Sequence, residues 1–77
     1  MSLNWDDLKV ALAVGRTGSL SRAALQLGVN QSTATRRLVA LEAQVGKTLF
    51  VRSRAGLTPT EAGRIAIARA GDVELNG

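Results

Sequence analysis

The residues of this chain that could do chemistry are few and of one kind. Ser32, Thr35 and Arg36, with Val39 beside them, fall on one side of a helix at about 100° per residue, polar and cationic towards its N-terminal end. From Arg16 to Arg54 stand Arg16, Arg22, Arg36, Arg37, Lys47, Arg52 and Arg54 against the single acid Glu42. That is seven against one, a net +6 in a chain whose total is +4, so the flanks are slightly acidic and the charge is concentrated in the middle. Hydroxyls, guanidinium groups and surplus positive charge are binding chemistry, and together with a helical pattern they point to a polyanion.

Catalytic chemistry finds little to work with. The chain has no histidine, the commonest general base, and no cysteine, so neither a disulfide nor a Cys/His metal site can form. Asp6 and Asp7 are adjacent and read most simply as first-turn helix acids rather than a general acid/base pair. No phosphate-binding loop surrounds Gly56 or Gly63, so the chain is not expected to be an enzyme or to need a cofactor. Trp5 and Phe50 are the only aromatics, too few for a base-stacking platform on single strands. No apolar run approaches the roughly 18 residues of a membrane span and no signal-peptide pattern opens the chain; the expectation is a cytoplasmic protein with no membrane partner.

The elements that must position these residues follow from capping and periodicity. Within 77 residues there is room for one small domain, which buries only about 60% of its unfolded surface and is marginally stable. Asn4 caps a first helix in which Trp5, Leu8, Ala11 and Leu12 keep helical spacing, with Val14 on a flank; Gly15 and Gly18 bracket its exit. Lys9 and Arg16 are expected in solvent. Ser19 caps a second helix whose Ala23, Ala24 and Leu27 form a small apolar face, and Gly28 ends it. Asn30 caps a third helix with Ala34, Leu38, Leu41 and Val45 on its apolar stripe, and Gly46 follows it. A short helix, a three-residue turn and a longer helix with a basic leading end form a helix-turn-helix.

Beyond Gly46 the period changes. Leu49–Arg52 and Leu57–Pro59 read as two short strands about a turn at Ser53–Gly56, the second at an edge because Pro59 cannot donate. A hairpin in this place is a wing, with Arg52 and Arg54 near its tip, in reach of phosphates or a minor groove. Thr60 then caps a last helix, in preference to a capping box from Thr58 with Pro59 in its first turn. Ala62, Ile65, Ala66, Ile67, Ala68, Ala70 and Val73 make that helix apolar nearly all round. It either packs on its own core or pairs with a copy of itself.

Taken in order, these pieces resemble the N-terminal winged helix-turn-helix domain of LysR-type transcriptional regulators. The carrying runs are LKVALAV, TGSLSRAALQLGVNQSTATRRLVALE, LFVR and TEAG, and the likeness from Trp5 to Gly63 covers about three quarters of the chain. It implies a mainly α winged helix-turn-helix: a three-helix core, a two-stranded wing and a C-terminal linker helix. Residues 1–59 would form the DNA-binding domain and residues 60–77 the start of the linker and dimerisation helix. The family's effector-binding domain would be absent, and with it any small-molecule effector. The resemblance implies a homodimer reading paired half-sites in double-stranded DNA, with the helix of residues 31–45 in the major groove. It maps base reading onto Gln31, Ser32, Thr35 and Arg36, backbone and wing contacts onto Thr33, Arg37, Arg52 and Arg54, and dimerisation onto Ile65, Ala66 and Val73. Gln can pair bidentately with adenine and Arg with guanine, and small hydroxyls let the helix sit deep. Two residues depart from the pattern: Ala11 stands where a bulky aromatic is usual, and Ser32 where proline is common. The alternative function is a protein-interaction module that forms mixed dimers with a full-length regulator.

Overall fold

The computed structural model describes residues 4–76, with side chains described as far as Asp72. In order come helix α1 (Trp5–Thr17), α2 (Leu20–Leu27), α3 (Gln31–Val45), strands β1 (Phe50–Ser53) and β2 (Gly56–Pro59), and helix α4 (Glu61–Asn76). Each helix begins where a side chain accepts from an early N–H. Asn4 Oδ1 takes Asp6 N at 2.9 Å, Ser19 Oγ takes Arg22 N at 3.3 Å, Asn30 Oδ1 takes Thr33 N at 2.8 Å, and Thr60 Oγ1 takes Gly63 N at 3.1 Å. The preference for Thr60 over Thr58 as the last cap is therefore met. Gly28 and Gly46 close α2 and α3 in the left-handed conformation.

Helix α1 is the hub, touching α2, α3, α4 and β2. Leu8, Ala11, Leu12 and Val14 are buried as expected, but so are Val10 and Ala13, which the single apolar stripe omitted. A helix covered on several sides has no one stripe. Gly15 is a second correction: it lies inside α1, which runs on to Thr17, and only Gly18 marks the exit. A Cβ at Gly15 would stand 2.5 Å from Ile67 Cδ1, so the missing side chain lets α4 approach.

Helix α4 lays Ala62, Ala66 and Ala70 inward, a stripe at i, i+4, i+8 that packs with the core. This corrects the assignment of Ala66 to a dimer surface, since it is 8% exposed and used by the domain's own core. Ile65, next to it, is 52% exposed. The side chain of Val73 lies outside the described residues. Packing on its own core is thus met by one face of this apolar helix, and another face is left outward.

The wing is an antiparallel pair in the register Phe50↔Pro59, Val51↔Thr58, Arg52↔Leu57, Ser53↔Gly56. The turn is therefore tighter than expected, with Arg54 and Ala55 alone between paired residues. Ser53 tightens it: its hydroxyl lies 3.1 Å from Gly56 O, 2.8 Å from Thr58 Oγ1 and 3.3 Å from Ala55 N. Leu49 falls outside β1 and is fully buried. The hairpin is moored at both ends: beside its turn Leu57 N donates to Gly18 O at 2.8 Å, and at its base Thr60 N donates to Leu49 O at 2.9 Å.

Glu42, the lone acid of the basic segment, holds the entry to the wing: its Oε2 accepts from Leu49 N at 2.7 Å. Removing that acceptor leaves a part-buried N–H without its partner, which costs about 1–3 kcal/mol. Glu42→Ala is expected to lower stability by that amount in urea melts, and Glu42→Gln, which keeps an oxygen there, to lose less.

Candidate nucleic-acid interface

Asn30 sets the geometry of the leading end of α3. Its Oδ1 accepts both Thr33 N and Ser32 Oγ, each at 2.8 Å, so one cap side chain fixes the first turn and the Ser32 rotamer. Thr35 Oγ1 donates to Gln31 O at 2.9 Å, the back-bond that a threonine makes inside a helix. Gln31, Ser32, Thr35 and Arg36 are all exposed on these first two turns, while Ala34, Leu38 and Leu41 on the reverse are buried. The helix thus presents a polar, cationic face because its apolar stripe is fully engaged with the core.

Thr33 and Arg37 are half-buried on the flank of that face, whereas Arg52 and Arg54 stand exposed on the wing. A groove of about 220 Å³ joins the two elements. Gln31 from α3, Arg52 from β1 and Ser19 and Ser21 from the start of α2 all line it, with Gly56 and Leu57 along its floor. The structure therefore brings Gln31 and Arg52 together across the wing-to-helix cleft, and adds Ser19 and Ser21. Sequence reasoning used Ser19 only as a cap and gave Ser21 no role. Their hydroxyls lie 3.2 Å apart, at the positive end of α2.

Electrostatically the face is uncompensated. Among the described residues, none of Arg36, Arg37, Arg52 and Arg54 makes an ion pair, and the Glu42 carboxylate is turned to the Leu49 N–H. Lys9, expected in solvent, is partly exposed and pairs with Asp6 at 3.3 Å. Guanidinium groups with no partner, set beside N–H-rich helix starts, make a surface suited to phosphate oxygens. Among the described residues there is no cluster of acids that could hold a metal ion, and no helix long and apolar enough to cross a membrane.

Known proteins share this fold. A family model described as bacterial regulatory helix-turn-helix protein, lysR family, matches residues 5–64. The uncharacterized HTH-type transcriptional regulator YusT of Bacillus subtilis (strain 168) is 44% identical over 61 residues, 79% of this chain and 21% of that one. The Mau operon transcriptional activator of Paracoccus denitrificans is 46% identical over 59 residues, 77% of this chain and 21% of that one. Among solved structures, the CbnR DBD–DNA complex superposes with a TM-score of 0.88 at 37% identity, covering 97% of this chain and 87% of that one. The chain spans about a fifth of the length of the curated relatives it matches.

Proposed function

We propose, from the premise that this chain belongs to the lysR family of bacterial regulatory helix-turn-helix proteins and carries its DNA-binding domain, that it reads specific sequences in double-stranded DNA. In this reading α3 enters the major groove, where Gln31, Ser32, Thr35 and Arg36 meet base edges. Thr33 and Arg37 meet the flanking phosphates. The wing lies on the backbone or in the adjoining minor groove through Arg52 and Arg54. The observation that carries this is the exposed face of α3 sharing one cleft with Arg52. A helix inserted there has cationic support on its flank, and phosphate contacts of that kind fix the register in which base contacts can discriminate.

Binding proceeds without chemistry. Arginines dock the domain by displacing counterions, the helix then samples base edges, and pairing of two domains multiplies the specificity. The test is fluorescence anisotropy on duplexes selected from a randomised pool, at two salt concentrations. An inverted repeat bound far more tightly than bulk duplex, with affinity falling steeply as salt rises, supports the reading. Weak, sequence-blind binding overturns it.

Homodimerisation through α4 belongs to the same proposal. Ile65 stands outward beside a groove of about 570 Å³ lined by Val45, Lys47, Thr48, Thr60, Glu61 and Ala62, which a helix from a second copy could fill. Ile65→Glu is expected to weaken self-association by about tenfold or more while leaving the thermal melt of the monomer nearly unchanged. Sedimentation equilibrium checks the first, and circular dichroism the second.

A further inference from the structure

Val39 is the one large apolar side chain left exposed on α3, at 58% exposure. At about 100° per residue it falls between Thr35 and Ser32, with Arg36 on the far side of Ser32, so it sits inside the face assigned above to base reading and not at its margin. The polar atoms around it are partly committed. Thr35 donates its hydroxyl to Gln31 O, and Ser32 donates its own to Asn30 Oδ1. With its O–H donated back to the helix, Thr35 has an acceptor oxygen and its methyl group left to present. Val39 follows four residues later, about 6 Å further along the axis. The two side chains form a short apolar stripe flanked by Arg36, on a surface otherwise made for polar contact.

In the major groove one base carries an apolar group at its edge, thymine with its 5-methyl, and contact with apolar side chains is how that group is recognised. We propose that Val39, with the Thr35 methyl, is a specificity-determining element that packs on a thymine 5-methyl group. This rests on the base-reading role of α3 and names a base class that the polar residues alone do not select. A charged or amide side chain at position 39 would be hydrogen-bonding hardware; valine discriminates by burial. Contact with one methyl group is worth about three- to fivefold in affinity.

The experiment takes the duplex recovered by selection and replaces its thymines one at a time with deoxyuridine, which removes the methyl and keeps every hydrogen-bonding atom. The wild-type domain is expected to bind at least one such duplex about three- to fivefold more weakly. With Val39→Ala that loss should shrink towards none, and Thr35→Ser, which keeps the hydroxyl bond, should reduce it in part. The proposal is overturned if deoxyuridine is neutral at every thymine, or if the sensitivity is the same in wild type and both variants. Should selection recover no preferred sequence at all, the base-reading role itself fails, before any deoxyuridine is introduced. Both side chains are exposed, and matching thermal melts of the three proteins establish that the variants are folded.

Discussion

Gly63→Ala should destabilise the domain by about 2 kcal/mol, although alanine is the better helix former by about 1 kcal/mol in an open helix. Gly63 lies in the first turn of α4, where a Cβ would drive into the carbonyl oxygen of Leu49, with Leu49 C at 3.0 Å and Pro59 Cβ at 3.2 Å closing the remaining space. That carbonyl cannot yield freely: it accepts from Thr60 N at 2.9 Å, and Thr60 Oγ1 donates to Thr48 O at 2.6 Å just before it. Moving it also disturbs Leu49, whose N–H is held by Glu42 and whose side chain is wholly buried. In a domain of this size a loss of about 2 kcal/mol lowers the melting temperature by roughly 10 °C. Gly71→Ala is the matched control. It lies on the same helix with no described atom within 4 Å of the added carbon, so the propensity gain acts alone and the substitution should stabilise by about 0.5–1 kcal/mol. Opposite signs for two Gly→Ala changes in one helix, read by thermal melts, test the packing of α4 against the base of the wing.

That contrast also marks where the sequence stops being informative. Helix starts were legible because capping is a local rule. Asn4, Ser19, Asn30 and Thr60 each announce themselves by residue type, and each accepts the expected N–H. The exposed leading face of α3 was legible for the related reason that its buried stripe, Ala34–Leu38–Leu41, has a clear period. What failed depends on contacts distant in sequence. Gly15 looks like a helix end, and Gly63 like any first-turn residue, until the chain that crosses each is known. Val10 and Ala13 look peripheral until α1 is seen to be covered by four elements. Glu42 reads as one acid in a charge balance, and its part in fixing Leu49, seven residues away, has no sequence signature. The same holds at the site: Arg52 belongs to the wing and Gln31 to the helix, 21 positions apart in the sequence, and only the fold places them on one groove beside Ser19 and Ser21. Ala66 and Ile65 are adjacent apolar residues that composition cannot separate, yet one is buried at home and the other faces out.

On DNA, the largest effect is expected at Arg36, and its character should differ from that of the wing arginines. Arg36 is exposed, is without an ion pair among the described residues, and stands one turn into α3 beside Thr35 and Ser32. In the proposed docking its guanidinium meets a base edge, where a bidentate pair with guanine is worth about 1–3 kcal/mol of discrimination. Arg36→Ala should therefore weaken binding to the selected duplex by roughly 10- to 100-fold, and flatten the base preference at one position of each half-site. Arg54 lies in the turn of the wing, with only Ala55 between it and the second strand. A side chain there that meets phosphate carries no base information, so Arg54→Ala should weaken selected and bulk duplexes alike and reduce the slope of log affinity against log salt by about one. Anisotropy titrations of both variants, each on selected and scrambled duplexes across a salt series, separate the two kinds of loss. If Arg36→Ala lost affinity equally on every sequence, the arginine would be a phosphate contact like the wing residues. Discrimination would then rest on Gln31, Ser32, Thr35 and Val39, the remaining side chains of the face that can meet a base edge.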